Sequence, residues 1–145
     1  MNFMKIAIEE AKKAFKNNEV PIGAVIVKDG KVISTGFNLV ESKNSSLYHA
    51  EIIAIKKAQK FLKDWRLNEC TLYVTVEPCL MCTGAIINSR IKKVVFGLKE
   101  EKFGAIVSKI KINEYKFNHK FEFEIDETYS DEIKNLMQLF FKMKR

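Results

Sequence analysis

Residues 71–87 read TLYVTVEPCLMCTGAII, and this stretch decides how the rest of the chain is arranged. Its first half is rich in β-branched and aromatic residues, as a strand is, and its second half has the pattern of a helix. Pro78 suits the first turn of that helix, because the N–H that proline lacks would be unpaired there. The stretch therefore predicts a strand followed directly by a helix, with Cys79 and Cys82 at the junction.

Cys79 and Cys82 are three positions apart, so on a helix they share one face and can reach the same metal ion. The positive end of the helix favours both side chains as thiolates, the form that binds zinc. Taken alone, the pair is also compatible with a redox pair or with half of a structural zinc site. The upstream segment His49-Ala50-Glu51 favours a metal centre, because it adds an imidazole ligand and a neighbouring carboxylate.

The predicted ligands of one zinc ion are His49, Cys79 and Cys82. Catalytic zinc sites have three protein ligands and keep a fourth position open for water. Cys70 is not expected to be a fourth ligand, because a rigid strand separates it from Cys79 and nine residues of extended chain span about 30 Å. It is expected to be an inert, partly buried thiol, and His119 is expected to be a surface histidine.

Glu51 makes the predicted centre catalytic rather than structural. A carboxylate beside a zinc-activated water can take a proton from it and pass that proton to a ring nitrogen and a leaving amine. The alternative interpretation is a solvated glutamate in the first turn of a helix, stabilised by the helix dipole.

The chain has 145 residues, a net charge of +7 and a pI of about 9.3. We expect a single domain over residues 1–145. The positive charge favours a polyanionic partner such as nucleic acid, although a lysine-rich solvated surface would give the same balance. Three cysteines argue against a disulfide framework. No apolar run reaches membrane-spanning length and no signal peptide is present, so we expect a cytoplasmic protein without a membrane partner.

Apolar periodicity predicts alternating helices and strands along the chain. This order favours a sheet covered by helices on both faces, with a parallel connection wherever a helix separates two strands. Gly23, inside a strand, is typical of a bulge or of a close approach by a ligand. Residues 39–47 are expected to form a loop, and residues 103–112 are ambiguous. The predicted helices are 3–15, 50–62, 79–88 and one starting near Thr128 or Ser130; the predicted strands are 22–27, 31–37, 72–76, 94–96 and 121–125.

The spacing His-x-Glu followed by Pro-Cys-x-x-Cys resembles the known signature of the zinc-dependent nucleoside and nucleobase deaminases. The resemblance is closest to the bacterial tRNA-specific adenosine deaminase family and covers nearly the whole chain. It is carried by residues 19–25 (EVPIGAV), 36–38 (GFN), 49–51 (HAE), 71–79 (TLYVTVEPC), 81–82 (MC), 89–91 (SRI), 94–97 (VVFG) and 140–145 (FFKMKR).

This resemblance implies a fold and a reaction. The fold is an α/β protein of three layers, α/β/α, with a central mixed five-stranded sheet like that of the cytidine deaminases. The reaction is the hydrolytic deamination of adenosine to inosine at the wobble position, 34, of a tRNA anticodon, with the arginine tRNA of anticodon ACG as the expected substrate. A water activated by one zinc per subunit attacks C6 of adenine, Glu51 moves the protons, and the protein is a homodimer.

The resemblance also implies which residues contact the substrate. Asn38 matches the asparagine that hydrogen-bonds the flipped-out base, and backbone N–H groups near Ala50 and Cys79 steady the attacking water. A base in an anticodon loop is easily extruded, and lysines supply contacts to its phosphates. The other implied substrate-binding residues are Pro78, Lys99, Glu100, Lys102, Phe140, Phe141 and Arg145.

The chain departs from the family pattern at Tyr48, Asn88 and Glu100, where a small residue, a histidine in some members and an aspartate are usual. None of the three is an expected zinc ligand or proton carrier. Two alternative functions stay open from the residues alone. One is a deaminase of a free guanine-type or cytosine-type base or nucleoside, and the other is a non-catalytic RNA-binding module stabilised by zinc.

Overall fold

The computed structural model describes residues 1–143, which form one sheet with helices on both faces. Two 3₁₀ turns, Ile112–Glu114 and Glu127–Tyr129, accompany the regular elements. Among the described residues, no helix is long and apolar enough to cross a membrane. The elements in chain order are α1 (Phe3–Lys16), β1 (Gly23–Lys28), β2 (Lys31–Phe37), α2 (Val40–Lys43), α3 (Ala50–Leu62), β3 (Cys70–Val74), α4 (Leu80–Asn88), β4 (Lys93–Phe96), β5 (Glu122–Ile125) and α5 (Ser130–Met143).

The sheet has five strands in the order β2-β1-β3-β4-β5. Strand β1 pairs antiparallel with both β2 and β3, while β3, β4 and β5 run parallel to one another. The predicted mixed five-stranded sheet is therefore confirmed. The parallel half places the carboxyl ends of β3 and β4 side by side, and in open α/β sheets ligands bind at such an edge.

Two hydrophobic cores lie on opposite faces of the sheet. Helices α3 and α4 cover one face, where Ala54 and Ile86 pack in the same cluster as Leu72. Helices α1 and α5 cover the other, where Met4 and Ile133 share a cluster with strand residues. Successive strand residues point to opposite faces, so neighbours on β1 and β4 divide between the two cores. The three-layer α/β/α arrangement is confirmed.

The loop predicted over residues 39–47 is partly wrong, because it contains the short helix α2. The buried carboxylate of Glu19 accepts hydrogen bonds from the N–H groups of Glu41 and Ser42 at 3.0 and 2.6 Å. Helix α2 is therefore stabilised by a residue some twenty positions earlier, and the local sequence of residues 39–47 does not reveal this contact. Strand β3 is also shifted from the predicted 72–76 toward Cys70.

Gly23 marks a close approach by a helix. A Cβ atom at this position would collide with the carbonyl oxygen of Ala7 on α1. The irregularity in the pairing of β1 with β2 falls between Ile26 and Val27 instead. Neither a ligand nor a bulge explains the glycine, so both sequence interpretations of Gly23 were wrong.

Candidate active site and metal centre

A cavity of about 850 Å³ opens at the carboxyl ends of β3 and β4. Its size lies in the usual range for small-molecule and cofactor sites. Residues that follow β2, β3 and β4 all contribute to it, because β2 ends at the same edge of the sheet. The sequence-predicted residues that line it are Asn38, His49, Ala50, Glu51, Cys79, Glu100, Phe140 and Phe141.

The three predicted metal ligands lie together: His49 and Cys79 line this cavity, and Cys82 is buried next to them. His49 is the N-cap of α3 and Cys79 is the N-cap of α4, while Cys82 lies within the first turn of α4. The ligand atoms of the three residues lie within 4.8 Å of one another. The Sγ atoms of Cys79 and Cys82 are 3.6 and 3.5 Å from Nδ1 of His49. The geometry therefore identifies Nδ1 as the histidine nitrogen that faces the thiols.

The charges of this group suit a divalent cation. A hydrogen bond from Cys82 lowers the pKa of Cys79 to about 4, while the same contact and burial raise the pKa of Cys82. The hydrogen bond with Cys79 also raises the pKa of His49. Without a cation, Cys79 is a thiolate and the buried Cys82 stays protonated. A nearby cation would allow both thiols to ionise. Two thiolates and an imidazole are the donor set that zinc prefers, so the residues fit that metal.

Pro78 lies one residue before the N-cap of α4, so its predicted place in the first helical turn was wrong. Its carbonyl oxygen accepts a hydrogen bond from the N–H of Ala105 at 2.9 Å. It is buried and does not line the cavity. Its position as a substrate contact stays a prediction.

The other cysteine and histidine lie away from the metal group. Cys70 is fully buried at the first position of β3, and burial raises the pKa of its thiol. His119 is half-buried, and its Nε2 atom lies 2.7 Å from the carbonyl oxygen of Ile91. The prediction of a surface histidine was therefore wrong, because His119 ties the segment before β5 to the start of β4.

Glu51 is the second residue of α3 and faces the cavity, yet it is only 4% exposed. Burial is the main cause that raises the pKa of its carboxyl group to about 7, and the charge of Cys79 acts in the same direction. Its side chain also contacts Cys82. The alternative of a solvated first-turn glutamate is therefore wrong. A carboxyl group that titrates near neutral pH can both accept and donate a proton there.

Gly36 on β2 lets the first turn of α3 lie directly against the sheet. A Cβ atom there would be 2.5 Å from the carbonyl oxygen of Ala50 and 3.0 Å from the nitrogen of Ala54. Real Cβ atoms do not approach backbone so closely. The glycine therefore fixes the depth at which His49 and Glu51 enter the site.

Asn38 follows β2 and is 7% exposed at the wall of the cavity. Its backbone N–H donates to the carbonyl oxygen of Ile22 at 3.2 Å. Its Oδ1 atom has no hydrogen-bond partner among the described residues. Buried polar atoms are normally paired, so this oxygen is available to a bound ligand. The nearby Ala50 is fully buried and also lines the cavity.

Two buried carboxylates that sequence reasoning did not select hold the cavity walls. Glu19 anchors α2, as described above. Glu77 accepts hydrogen bonds from the backbone N–H groups of Glu100, Ile106, Val107 and Ser108 and from the hydroxyl of Ser108. Burial would raise the pKa of Glu77, but these donors hold it below its usual value. These hydrogen bonds therefore tie the segment after β4 to Glu77, which follows β3.

The loop after β4 contains three predicted RNA contacts. Lys99 and Lys102 are exposed and do not line the cavity. Glu100 is half-buried at the cavity, and its carboxylate accepts a hydrogen bond from the N–H of Lys102 at 3.0 Å. The departure at Tyr48 leaves the cavity lining unchanged, because its side chain is not part of that lining.

Helix α5 brings two predicted aromatic residues to the cavity. Phe140 is buried and packs edge-on against Phe15 and Phe141, with ring centroids 6.3 and 5.3 Å apart. Phe141 is 42% exposed. Arg145, the last predicted contact, lies outside the described residues.

Most of the remaining lining was not predicted. Residues 19–22 lie in a segment that carries the family resemblance, and that resemblance could have identified them as lining the cavity. Phe103 and Met137 come from distant elements and have no local motif. The lining residues that sequence reasoning did not select are Asn18, Glu19, Val20, Ile22, Val40, Glu41, Val76, Glu77, Phe103 and Met137.

Known proteins are similar to this chain over nearly its whole length. The model of the MafB19-like deaminase family matches residues 1–145. The tRNA-specific adenosine deaminase of Buchnera aphidicola subsp. Schizaphis graminum is 48% identical over 145 residues, which is 99% of this chain and 94% of that protein. The chain belongs to the tRNA-specific adenosine deaminase family.

Solved structures of deaminases have the same fold as this chain. One structure, from a study of A-to-I editing by tRNA:A34 deaminases at the wobble position, superposes with a TM-score of 0.89 and 36% identity. It covers 92% of this chain and 97% of its own. A guanine deaminase from Bacillus subtilis is 32% identical with a TM-score of 0.66, covering 96% and 95% of the two chains. The predicted family and fold class are confirmed.

Proposed function

We propose that this deaminase converts adenosine to inosine at the wobble position, 34, of a tRNA anticodon. The carrying observation is the buried Glu51 carboxyl group, whose pKa is about 7, facing the cavity beside the His49, Cys79 and Cys82 group. Similarity to tRNA-specific adenosine deaminases over nearly the whole chain supports the choice of substrate. A purely structural metal site in an RNA-binding module would not require a buried carboxyl group at the cavity.

The chemistry assigned to the protein residues is proton transfer and positioning. As a water oxygen adds to C6 of adenine, Glu51 takes a proton from that water and delivers it to N1 of the ring. Glu51 then transfers the second water proton to the amino group, which leaves as ammonia, and the oxygen remains as the carbonyl of inosine. Asn38 offers its unpartnered Oδ1 to a donor on the base.

The metal we propose for the site is zinc, one ion per subunit, held by His49, Cys79 and Cys82. When bound, zinc would supply a Lewis acid that makes a water nucleophilic near neutral pH. The N–H of Ala50, in the first turn of α3, is not used within the helix and would orient the reacting oxygen.

The RNA contacts are proposed from the surface around the cavity. The exposed Lys99 and Lys102 suit phosphates of the anticodon loop, and Glu100, Phe140 and Phe141 would contact nucleotides at the entrance. Pro78 and Arg145 are also proposed as substrate contacts, on the basis of the family resemblance alone. The proposed substrate is the arginine tRNA with anticodon ACG.

A second candidate function is deamination of free guanine, favoured by the likeness to the guanine deaminase described above. Incubating the purified zinc-loaded protein with an ACG anticodon stem-loop, and separately with guanine, adenosine and cytidine, separates the two. We expect inosine at the first anticodon position and little turnover of the small molecules. Turnover of guanine with none on the stem-loop would contradict the proposal.

We further propose that the protein is a homodimer in the cytoplasm. Helices α3 and α4 cover the same face of the sheet and expose Phe61 (66%) and Leu80 (58%), which a second copy would cover. The three unbridged cysteines are typical of a reducing compartment. Light scattering should give twice the 16.8 kDa chain mass. A fully active monomer would overturn the dimer.

A further inference from the structure

Phe103 is the most exposed phenylalanine among residues 1–143, at 68%, and it lines the entrance of the cavity. A single exposed apolar side chain on a surface needs no explanation by itself. Its position is different, because it lines the same cavity as Glu51 and is therefore within reach of a substrate bound there.

The phenyl ring of Phe103 has no structural partner of its own kind. Among the described residues it forms no ring–ring or cation–π contact, although Phe140 and Phe141 on the same cavity pack edge-on against each other. No aromatic or cationic side chain among the described residues stacks on this mostly exposed ring, which distinguishes it from the aromatic residues of α5.

The backbone that carries Phe103 is held on both sides. Glu77 accepts hydrogen bonds from the N–H of Glu100 at 3.1 Å and from the N–H of Ile106 at 3.0 Å, so its carboxylate bridges the segment across Phe103. The N–H of Gly104 also donates to the carbonyl oxygen of Glu100 at 2.8 Å. The exposed ring is therefore presented from a fixed turn, and little conformational entropy is lost when a ligand stacks on it.

Two lysines precede Phe103 in the same loop. Lys99 and Lys102 are exposed, and neither ammonium group pairs with a carboxylate in the part of the chain that the structure describes. An open aromatic face beside unpaired ammonium groups is the combination that binds a base and its phosphate in single-stranded nucleic acid.

We propose that Phe103 is the stacking platform for the nucleotide next to the one whose base enters the cavity. This assignment rests on the proposed RNA substrate. Extruding one base from a loop uncovers a face of its neighbour and costs a few kcal/mol of stacking. The Phe103 ring covers that face again, so it favours an RNA loop over a free nucleoside, which has no neighbouring base.

The test measures binding of an ACG anticodon stem-loop that carries 2-aminopurine on either side of the target adenosine. The zinc-loaded protein is used in a Glu51→Gln background, so that no turnover occurs. The variants are Phe103→Ala, Phe103→Leu and Phe103→Tyr. The control is Phe117→Ala, because Phe117 is 54% exposed but lies before β5, at the opposite end of the sheet from the cavity.

We expect Phe103→Ala and Phe103→Leu to weaken binding about 5- to 100-fold and to lose the fluorescence quenching at one flanking position. Phe103→Tyr, which keeps the ring, and Phe117→Ala should stay within about threefold of the parent. Unchanged affinity and quenching in Phe103→Leu would overturn the stacking role alone. A parent protein that neither binds nor, with Glu51 restored, deaminates the stem-loop would overturn the proposed function together with it.

Discussion

Single side chains at the cavity have properties that only their surroundings explain. Glu51 has a pKa of about 7 chiefly because its carboxyl group is buried, and Cys79 has a pKa of about 4 chiefly because Cys82 donates a hydrogen bond to its sulfur. The two groups therefore divide the work: one holds a negative charge for a metal, and the other exchanges a proton near neutral pH.

Asn38→Ala tests the unpartnered oxygen at the cavity wall. We expect kcat/KM on the stem-loop to fall about 10- to 100-fold, because a hydrogen bond to the base is lost. The melting temperature should change little, since Oδ1 has no partner among the described residues. A large loss of stability with unchanged kcat/KM would show that Asn38 is structural.

Cys79→Ala tests the ligand set, with Cys70→Ala as its matched control. Both thiols belong to the chain's three unbridged cysteines, but only Cys79 lies in the metal group. Elemental analysis should find about one zinc per chain in Cys70→Ala and almost none in Cys79→Ala. Equal zinc content in the two variants would remove Cys79 from the ligands.

Residue-scale prediction from sequence succeeded where the chemistry is local. The His-x-Glu and Cys-x-x-Cys spacings identified His49, Glu51, Cys79 and Cys82, and the structure brings these side chains together. Spacing did not predict the residues that form the cavity walls. Glu77 and Phe103 gain their roles from contacts across the fold, which spacing alone does not reveal.

At the scale of elements, the packing of α3 on β2 sets the position of the catalytic turn. The helix lies so close that only glycine fits at position 36, where a Cβ would meet the carbonyl oxygen of Ala50. His49 and Glu51 lie on either side of that carbonyl group in the chain. A substitution at Gly36 is therefore expected to shift His49 and Glu51, although residue 36 itself does not line the cavity.

Gly36→Ala should move the first turn of α3 outward, because overpacking of this kind costs about 1–3 kcal/mol. Gly84→Ala is the control, since a Cβ there meets nothing within 4 Å in the same chain and alanine favours a helix. Chemical denaturation should show a loss for Gly36→Ala and none for Gly84→Ala, with kcat reduced only in the former. Equal stability and kcat in both variants would contradict the packing account.

Most regular elements followed from periodicity because they bury a stripe or a face. The long helices α1 and α3 and the hairpin β1–β2 lie close to their predicted bounds. Helix α2 was missed because Glu19 supplies the acceptor for its first N–H groups. His119 was expected at the surface because the carbonyl group that it contacts, that of Ile91, is distant in sequence.

The whole molecule combines a basic surface with a carboxylate-rich cavity. The net charge is +7, yet Glu19, Glu41, Glu51, Glu77 and Glu100 all line the cavity. Cations outside attract the phosphates of a polymer, while negative groups inside disfavour entry of a phosphate. This arrangement suits the proposed substrate, whose neutral base would enter the cavity while its phosphates stay outside.

Lys102→Ala should weaken stem-loop binding and reduce the slope of log K against log salt by about 1, if one phosphate contact is lost. Lys31→Ala is the control, because Lys31 is exposed at the far end of the β1–β2 hairpin from the cavity. Titrations at several salt concentrations measure both slopes. Identical slopes for wild type and Lys102→Ala would remove Lys102 from the RNA contacts.

The most direct test of the central claim compares wild-type protein with Glu51→Gln on an ACG anticodon stem-loop. Both proteins are first shown to contain equal zinc, so that only the proton carrier differs. Inosine at the first anticodon position is measured by mass spectrometry. We expect wild type to form inosine there and Glu51→Gln to be slower by at least about 10²-fold. Equal rates in the two proteins, or no inosine from wild type, would contradict the account.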